Sequence, residues 1–219
     1  MIGPNGGGAR EDTYVVPEKL IADAETMSSD LVKWSSSVTC IYETVGELKE
    51  KWHGAYCTIV VQPLEDIQKD MVDYGNCLRK LASTLGTAGL MYQKLNTDGG
   101  GSVEEIEAVR GSETEVRKTE DADTAFSYSD CQRRHGEIEM ARKNMLEVFS
   151  DVESITDNLP NIYRDEEGSQ LIADLKRING HSSDYDRIIE KFARDLVEVV
   201  ATNFEAVSTY VGDNNSAKG

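Results

Sequence analysis

The chain has 219 residues, 39% of them hydrophobic and 29% charged, which is enough for a modest core and too polar for a membrane-embedded protein. Its 40 acidic residues against 23 basic ones give a net charge of −17, so phosphate backbones and anionic lipid surfaces repel it on average. Nucleic acid is therefore not an expected partner, and membrane binding is not expected either. No run approaches the ~20 apolar residues of a spanning helix, and the glycine-rich start, Met1 to Gly8, lacks the apolar stretch of a secretory leader.

Residues 1–16 read as a disordered N-terminal segment. From Pro17 a helical seam begins: Leu20, Ala24, Met27, Leu31, Trp34, Val38, Ile41, Val45, Leu48 and Trp52. Its steps alternate four and three, the pattern of a long helix that packs against another. Pro17 and Glu18 suit a first helical turn, where a missing N–H is harmless and an acid meets the positive end of the dipole. The seam places Trp52 on the face of Val45 and Leu48, so its ring is expected to be buried.

His53-Gly54 interrupts the pattern. A second seam then runs through Cys57, Val60, Leu64, Ile67, Met71, Tyr74, Leu78, Leu81, Leu85, Ala88, Tyr92 and Leu95. Neither stripe can be buried alone, so the two helices must fold back on each other. A turn near His53 sets Cys40 opposite Asp66, Cys57 opposite Lys49 and Cys77 opposite Ser29. No two cysteines of this hairpin then come within disulfide reach, and reduced thiols are expected; a bridge to Cys131 stays open. Pro63 conflicts with a helix interior. A kinked helix fits the unbroken seam better than a helix starting at Pro63.

Residues 96–127 read as a flexible acidic linker opened by Gly99-Gly100-Gly101-Ser102, with a short helix as one option for Glu104 to Val109. Within 128–210 a third seam comprises Ile138, Ala141, Met145, Val148, Val152, Ile155, Leu159 and Ile162. Pro160 and the run Arg164 to Gly168 mark a turn. A fourth seam follows: Leu171, Leu175, Ile178, Ser182, Tyr185, Ile189, Phe192, Leu196, Val199, Asn203, Ala206 and Tyr210. Asn179-Gly180 is a candidate break inside it, and 211–219 read as a disordered tail. The expected fold is all-α: two tandem antiparallel helical hairpins packing as a four-helix bundle.

Catalytic, cofactor-binding and metal-binding signals are lacking. There is no phosphate-binding loop, and His53, His135 and His181 have no metal-ligand spacing. His181-Ser182-Ser183-Asp184 resembles a triad only as a string, because adjacent helical residues point in different directions. Ser183 and Asp186 are better read as a helix cap beyond Gly180.

Trp52-His53-Gly54 carries the sharpest signal: a large aromatic closes the first seam, and glycine permits a tight reversal. With Leu20, Ala24, Leu48, Ala55 and Thr87-Ala88-Gly89-Leu90-Met91-Tyr92, the stretch from Pro17 to Tyr92 resembles the WXG (Trp-x-Gly) family of small helical hairpins of type VII secretion. The interval from Trp52 to Tyr92 suits the closing tyrosine of that family. The resemblance implies a turn motif at Trp52 and Gly54. It makes the second hairpin a divergent copy, with Tyr163 and Gly168 as the candidate second turn. It also implies an export signal, Tyr-x-x-x-Asp/Glu, just after a second helix. Tyr92 with Asn96, and Tyr210 with Asp213 and Asn214, are candidate degenerate versions. Tyr14 with Glu18 and Tyr163 with Glu167 match the string but lie elsewhere in the chain.

The function so implied is a non-enzymatic type VII secretion substrate or targeting partner. Its partners would be a secretion-system ATPase or a co-secreted helical protein. The route would be leaderless: cytoplasmic before export, then secreted or at the cell surface. Family hairpins pair into bundles, and a tether of about 30 residues would hold two of them at roughly millimolar effective concentration. A monomeric single-chain bundle or a homodimer is expected. The rival readings are a BAR-like membrane-curvature module, with Pro63 and Pro160 as its kinks, and a helical adaptor for a secreted toxin.

Overall fold

The computed structural model describes residues 14–52, 55–96, 127–164 and 166–203. Helix α1 spans Pro17–Lys51, α2 Ala55–Asn96, α3 Tyr128–Ile162, α4 Glu166–Asn179 and α5 Ser182–Asp195, the last continuing into a π-helical segment, Leu196–Ala201. Two short strands, β1 (Tyr14–Val15) and β2 (Tyr163–Arg164), pair antiparallel. The fold is an all-α bundle of four helical layers, with the fourth layer split between α4 and α5.

The hairpin of α1 and α2 has the register that the seams predict. Trp34 Nε1 donates to the Met71 carbonyl at 2.8 Å, and Tyr42 Oη donates to the Leu64 carbonyl at 2.7 Å. From Leu20 to Leu48 every seam position of α1 is buried. Helix α2 runs unbroken through Pro63, which excludes a helix start there. The carbonyl that Pro63 orphans belongs to Ile59, which lies on the exposed side of the helix, where water can replace the lost donor.

Helix α3 lies antiparallel to α1. Arg134 pairs with Glu47, Lys33 approaches Glu147 at 3.6 Å, and the Val16 N–H donates to the Ile162 carbonyl at 2.9 Å. Helix α5 runs back along α3, tied by Arg142 Nε to Asp186 Oδ1 at 2.6 Å. The α1–α2 reversal and the start of α3 therefore share one pole. The start of α1, the end of α2 and the α3–α4 turn share the other. Residues 97–126 and 204–219 lie outside the described residues, and with them all of the 96–127 linker except Asn96, which ends α2, and Ser127, which caps α3, the candidate helix at 104–109, and Ala206 and Tyr210.

Four expectations need correction. Residues 14–16 belong to the fold, because β1 pairs with β2, so the disordered N-terminal segment cannot extend to residue 16. Helix α3 passes through Pro160 and ends at Ile162, so the second turn starts later than Pro160. The fourth helix does break at Gly180, but no Ser183–Asp186 cap forms; His181 is the N-cap and Asp186 accepts from Arg142. In the π-helical segment the buried residues are Leu196, Val200 and Ala201, while Val199 is only half-buried. The extra residue of a π turn moves the buried stripe on by one position.

The middle of the bundle is an aromatic knot. The Trp34 and Tyr74 rings lie 4.1 Å apart, Phe149 packs edge-on to both at 5.5 and 5.6 Å, and Tyr185 lies 6.4 Å from Phe149. Offset and edge-to-face pairs of this kind add to area burial. The four rings come from α1, α2, α3 and α5, so the knot joins all four layers.

Candidate functional site

The turn motif of the first hairpin occupies one pole. Trp52 is the extended C-cap of α1, with its N–H bonded to the Leu48 carbonyl at 2.8 Å. Its side chain is half-buried and only flanks the core. This corrects the expectation of a buried ring: the tryptophan at 0% exposure is Trp34. A seam of steps three and four rotates slowly around a straight helix, and Trp52 lies beyond its last turn. His53 and Gly54 lie outside the described residues.

The opposite pole gathers the tyrosines. The β1–β2 ladder sets Tyr14 opposite Arg164 and Val15 opposite Tyr163. The Arg164 guanidinium sits 5.9 Å from the centre of the Tyr14 ring, within the range of a cation–π contact. Tyr163 is buried, and Tyr92 meets it edge-on at 6.2 Å. Tyr163 Oη donates to Glu167 Oε2 at 3.1 Å. The strings Tyr14 to Glu18 and Tyr163 to Glu167, far apart in sequence, thus start from neighbouring strands. Asn96 ends α2 at the same pole and is exposed. Tyr210 and Asp213 lie outside the described residues, so the structure does not place them.

Two glycines permit this pole to close. A Cβ on Gly168 would stand 2.7 Å from the Tyr163 carbonyl oxygen, so the first turn of α4 can rest on Tyr163 only without a side chain. Gly168 lies inside α4 and is not a turn residue, which corrects its expected place in the second turn. A Cβ on Gly89 would meet Ile21 Cγ1 at 2.8 Å and the Pro17 carbonyl at 3.0 Å, so α2 crosses closely over the start of α1. Around them Tyr14, Met91 and Leu95 leave apolar surface open to solvent.

Buried charge marks a third place. Asp30 on α1 is 1% exposed, and one carboxylate oxygen has no hydrogen-bond partner. Burial, and next the nearby Asp151 carboxylate, push its pKa up to about 6, against the pull of Lys33. Asp23 is also raised to about 6, chiefly by burial, against the pull of Lys19. Both place a carboxyl where ionisation is costly.

No group of three or more His, Cys, Asp or Glu among the described residues could hold a metal ion. His135 Nδ1 is within 2.9 Å of the Ala193 carbonyl, a contact that fixes the ring against α5. Cys57 and Cys131 are buried and their thiol pKa values are raised by burial, the opposite of an activated nucleophile.

One feature escaped the sequence reading. Where α4 breaks into α5, a cleft of about 460 Å³ opens against α2, with Asp70, Asp73, Lys80 and Arg177 on its walls. Its only sequence signal was Asn179-Gly180. Comparison with family models, with curated proteins and with solved structures finds no match to this chain.

Proposed function

We propose that this chain is a non-enzymatic substrate or targeting partner of a type VII secretion system, acting through protein–protein contacts of its helical bundle. The observation that carries the reading is the first hairpin. A tryptophan closes α1, α2 resumes at Ala55, and α2 brings Tyr92 back to the pole where α1 begins. That is the layout which the resemblance to the WXG family implies. Support also comes from the tyrosine pole, where the hydrogen-bonded pair Tyr163–Glu167 lies beside exposed Tyr14, Met91 and Leu95. A docking surface of this kind needs aromatic and apolar anchors beside a few fixed polar groups.

The membrane-curvature reading has less in its favour. A net charge of −17 opposes anionic lipid. The experiment is export. The tagged chain is expressed in two bacterial strains with a type VII locus, one with an active secretion ATPase and one with its nucleotide site inactivated. Accumulation of the chain, or of a co-expressed helical partner, in the medium of the active strain alone supports the proposal. Equal amounts in both media, with a cytosolic marker retained in the cells, would overturn it.

A further inference from the structure

The bundle is not packed equally on all sides. Helix α1 contacts α2 and α3 along its whole length, whereas α2 meets the fourth layer more sparsely. Across that side the named links are Tyr74 Oη to Asn179 Oδ1 at 3.2 Å and Arg177 Nη2 to Cys77 Sγ at 3.9 Å. The break at Gly180 turns the chain there, and the cleft of about 460 Å³ lies over it. That volume falls within the range of ligand-binding clefts.

The cleft is bipolar. Asp70 and Asp73 lie toward one end of its α2 wall and Lys80 toward the other, and Arg177 of α4 reaches Cys77 in the last turn before Lys80. At ~1.5 Å per residue, Lys80 lies roughly 10 Å from Asp73 and roughly 15 Å from Asp70 along α2. Asp70 and Lys80 make no ion pair with any described residue, whereas Asp73 pairs with Lys69 and Arg177 approaches Asp174 at 3.6 Å. Buried Tyr185 and exposed His181 also line the cleft, with their rings 6.2 Å apart. Elsewhere the charges that face each other across layers are matched, as Arg134 is with Glu47 and Arg142 with Asp186. Charge left open at both ends of a cleft, with the signs separated, is complementary to a ligand carrying the opposite separation.

We propose that this cleft binds a short extended peptide segment with a basic side chain at the Asp70–Asp73 end and an acidic side chain at the Lys80–Arg177 end. In an extended chain, side chains four residues apart lie on one face and are separated by ~13 Å, which matches the cleft. Tyr185 and His181 would contact the intervening backbone. The inference does not depend on a secretion role.

The test uses the full-length ¹⁵N-labelled chain and the blocked pentapeptide acetyl-Lys-Gly-Gly-Gly-Glu-amide, followed by amide chemical shifts. The expected result is saturable binding, with shifts concentrated in residues 70–80 and 177–185. The blocked peptides carrying Lys alone or Glu alone should bind at least about tenfold more weakly, because each satisfies one end only. The double variants Asp70→Asn/Asp73→Asn and Lys80→Gln/Arg177→Gln should each weaken the parent peptide by about tenfold or more. These side chains are exposed, so their thermal midpoints should stay at the wild-type value. Shifts spread over the whole surface, affinity unchanged in both double variants, or equal binding of the single-charge peptides would overturn the proposal. So would shifts in the cleft that follow protein concentration without peptide, which would make its occupant a second copy of the chain.

Discussion

Tyr74 on α2 donates its hydroxyl to Asn179 at the end of α4, and the same Asn179 side chain donates from Nδ2 to the Phe149 carbonyl on α3 at 3.1 Å. One asparagine therefore ties three layers together at the place where the fourth layer breaks. Replacing Asn179 with Ala removes both bonds and should cost about 1–3 kcal/mol, since a part-buried carbonyl and hydroxyl lose their partner. Tyr74→Phe should cost about 0.5–1.5 kcal/mol. Urea denaturation of the two single variants and the double variant checks the coupling. Strictly additive losses would mean that the bond contributes nothing.

The two tryptophans should behave differently. Trp34 is fully buried in the aromatic knot and hydrogen-bonded to Met71, so Trp34→Ala should cost about 3–5 kcal/mol through a large cavity. Trp52 is half-buried at a helix end, and Trp52→Ala should cost about 1–2 kcal/mol. Chemical denaturation of both variants decides the order. A larger loss at Trp52 would contradict the packing described above.

Stability should fall as pH rises from about 4 to about 6. The carboxyl of Asp30 is raised from 3.8 to about 6 in the folded chain, and that of Asp23 likewise. In that window the native state holds more protons than the unfolded one, so the free energy of unfolding decreases with pH and levels off above the folded values. Asp130, held below its ordinary value chiefly by hydrogen bonds from Ser127, works in the opposite sense and loses its contribution as pH falls. Asp30→Asn should flatten the slope and raise stability at pH 7, by about 1–3 kcal/mol at most. Thermal midpoints across the range measure this, and a slope unchanged in Asp30→Asn would refute it.

Two glycine substitutions should have opposite signs. A Cβ at Gly46, inside α1, would meet nothing within 4 Å. Gly46→Ala should therefore stabilise the helix by about 0.5–1 kcal/mol. Gly168→Ala would force a methyl group to 2.7 Å from the Tyr163 carbonyl. It should cost about 1–3 kcal/mol through overpacking and loosen the tyrosine pole. Denaturation midpoints read both, and a stable Gly168→Ala chain would show that the contact yields without cost.

Helix identity and hairpin register were legible because they rest on local periodicity. Steps of three and four from Leu20 to Leu48 and from Ile138 to Ile162 mark buried positions without exception, and the reversal near His53 sets Trp34 beside Met71. The start of α3 was also legible in principle. Ser127 and Asp130 form a reciprocal capping box, written as Ser-x-x-Asp. The β1–β2 ladder was not, since it joins residues 14 and 164 through tertiary packing that two-residue strands do not announce. The π-helical segment escaped because one inserted residue shifts the stripe from Val199 to Val200 without changing composition. At the candidate site, Tyr163 and Gly168 were singled out as one candidate turn and Tyr92 as part of another motif. Only the bundle brings the Tyr92 ring against Tyr163, and the cleft beside Gly180 depends on a break whose consequences are three-dimensional.

Binding of the purified chain to the cytoplasmic domains of a type VII secretion ATPase is the most direct test of the proposed role. Titration by fluorescence anisotropy should give saturable binding in the micromolar range, about −8 kcal/mol. Leu95→Asp changes a side chain that is 68% exposed at the tyrosine pole and should weaken binding at least about tenfold with the fold intact. No saturable binding by the wild-type chain, or wild-type affinity in Leu95→Asp, would contradict a secretion partner that docks through this pole.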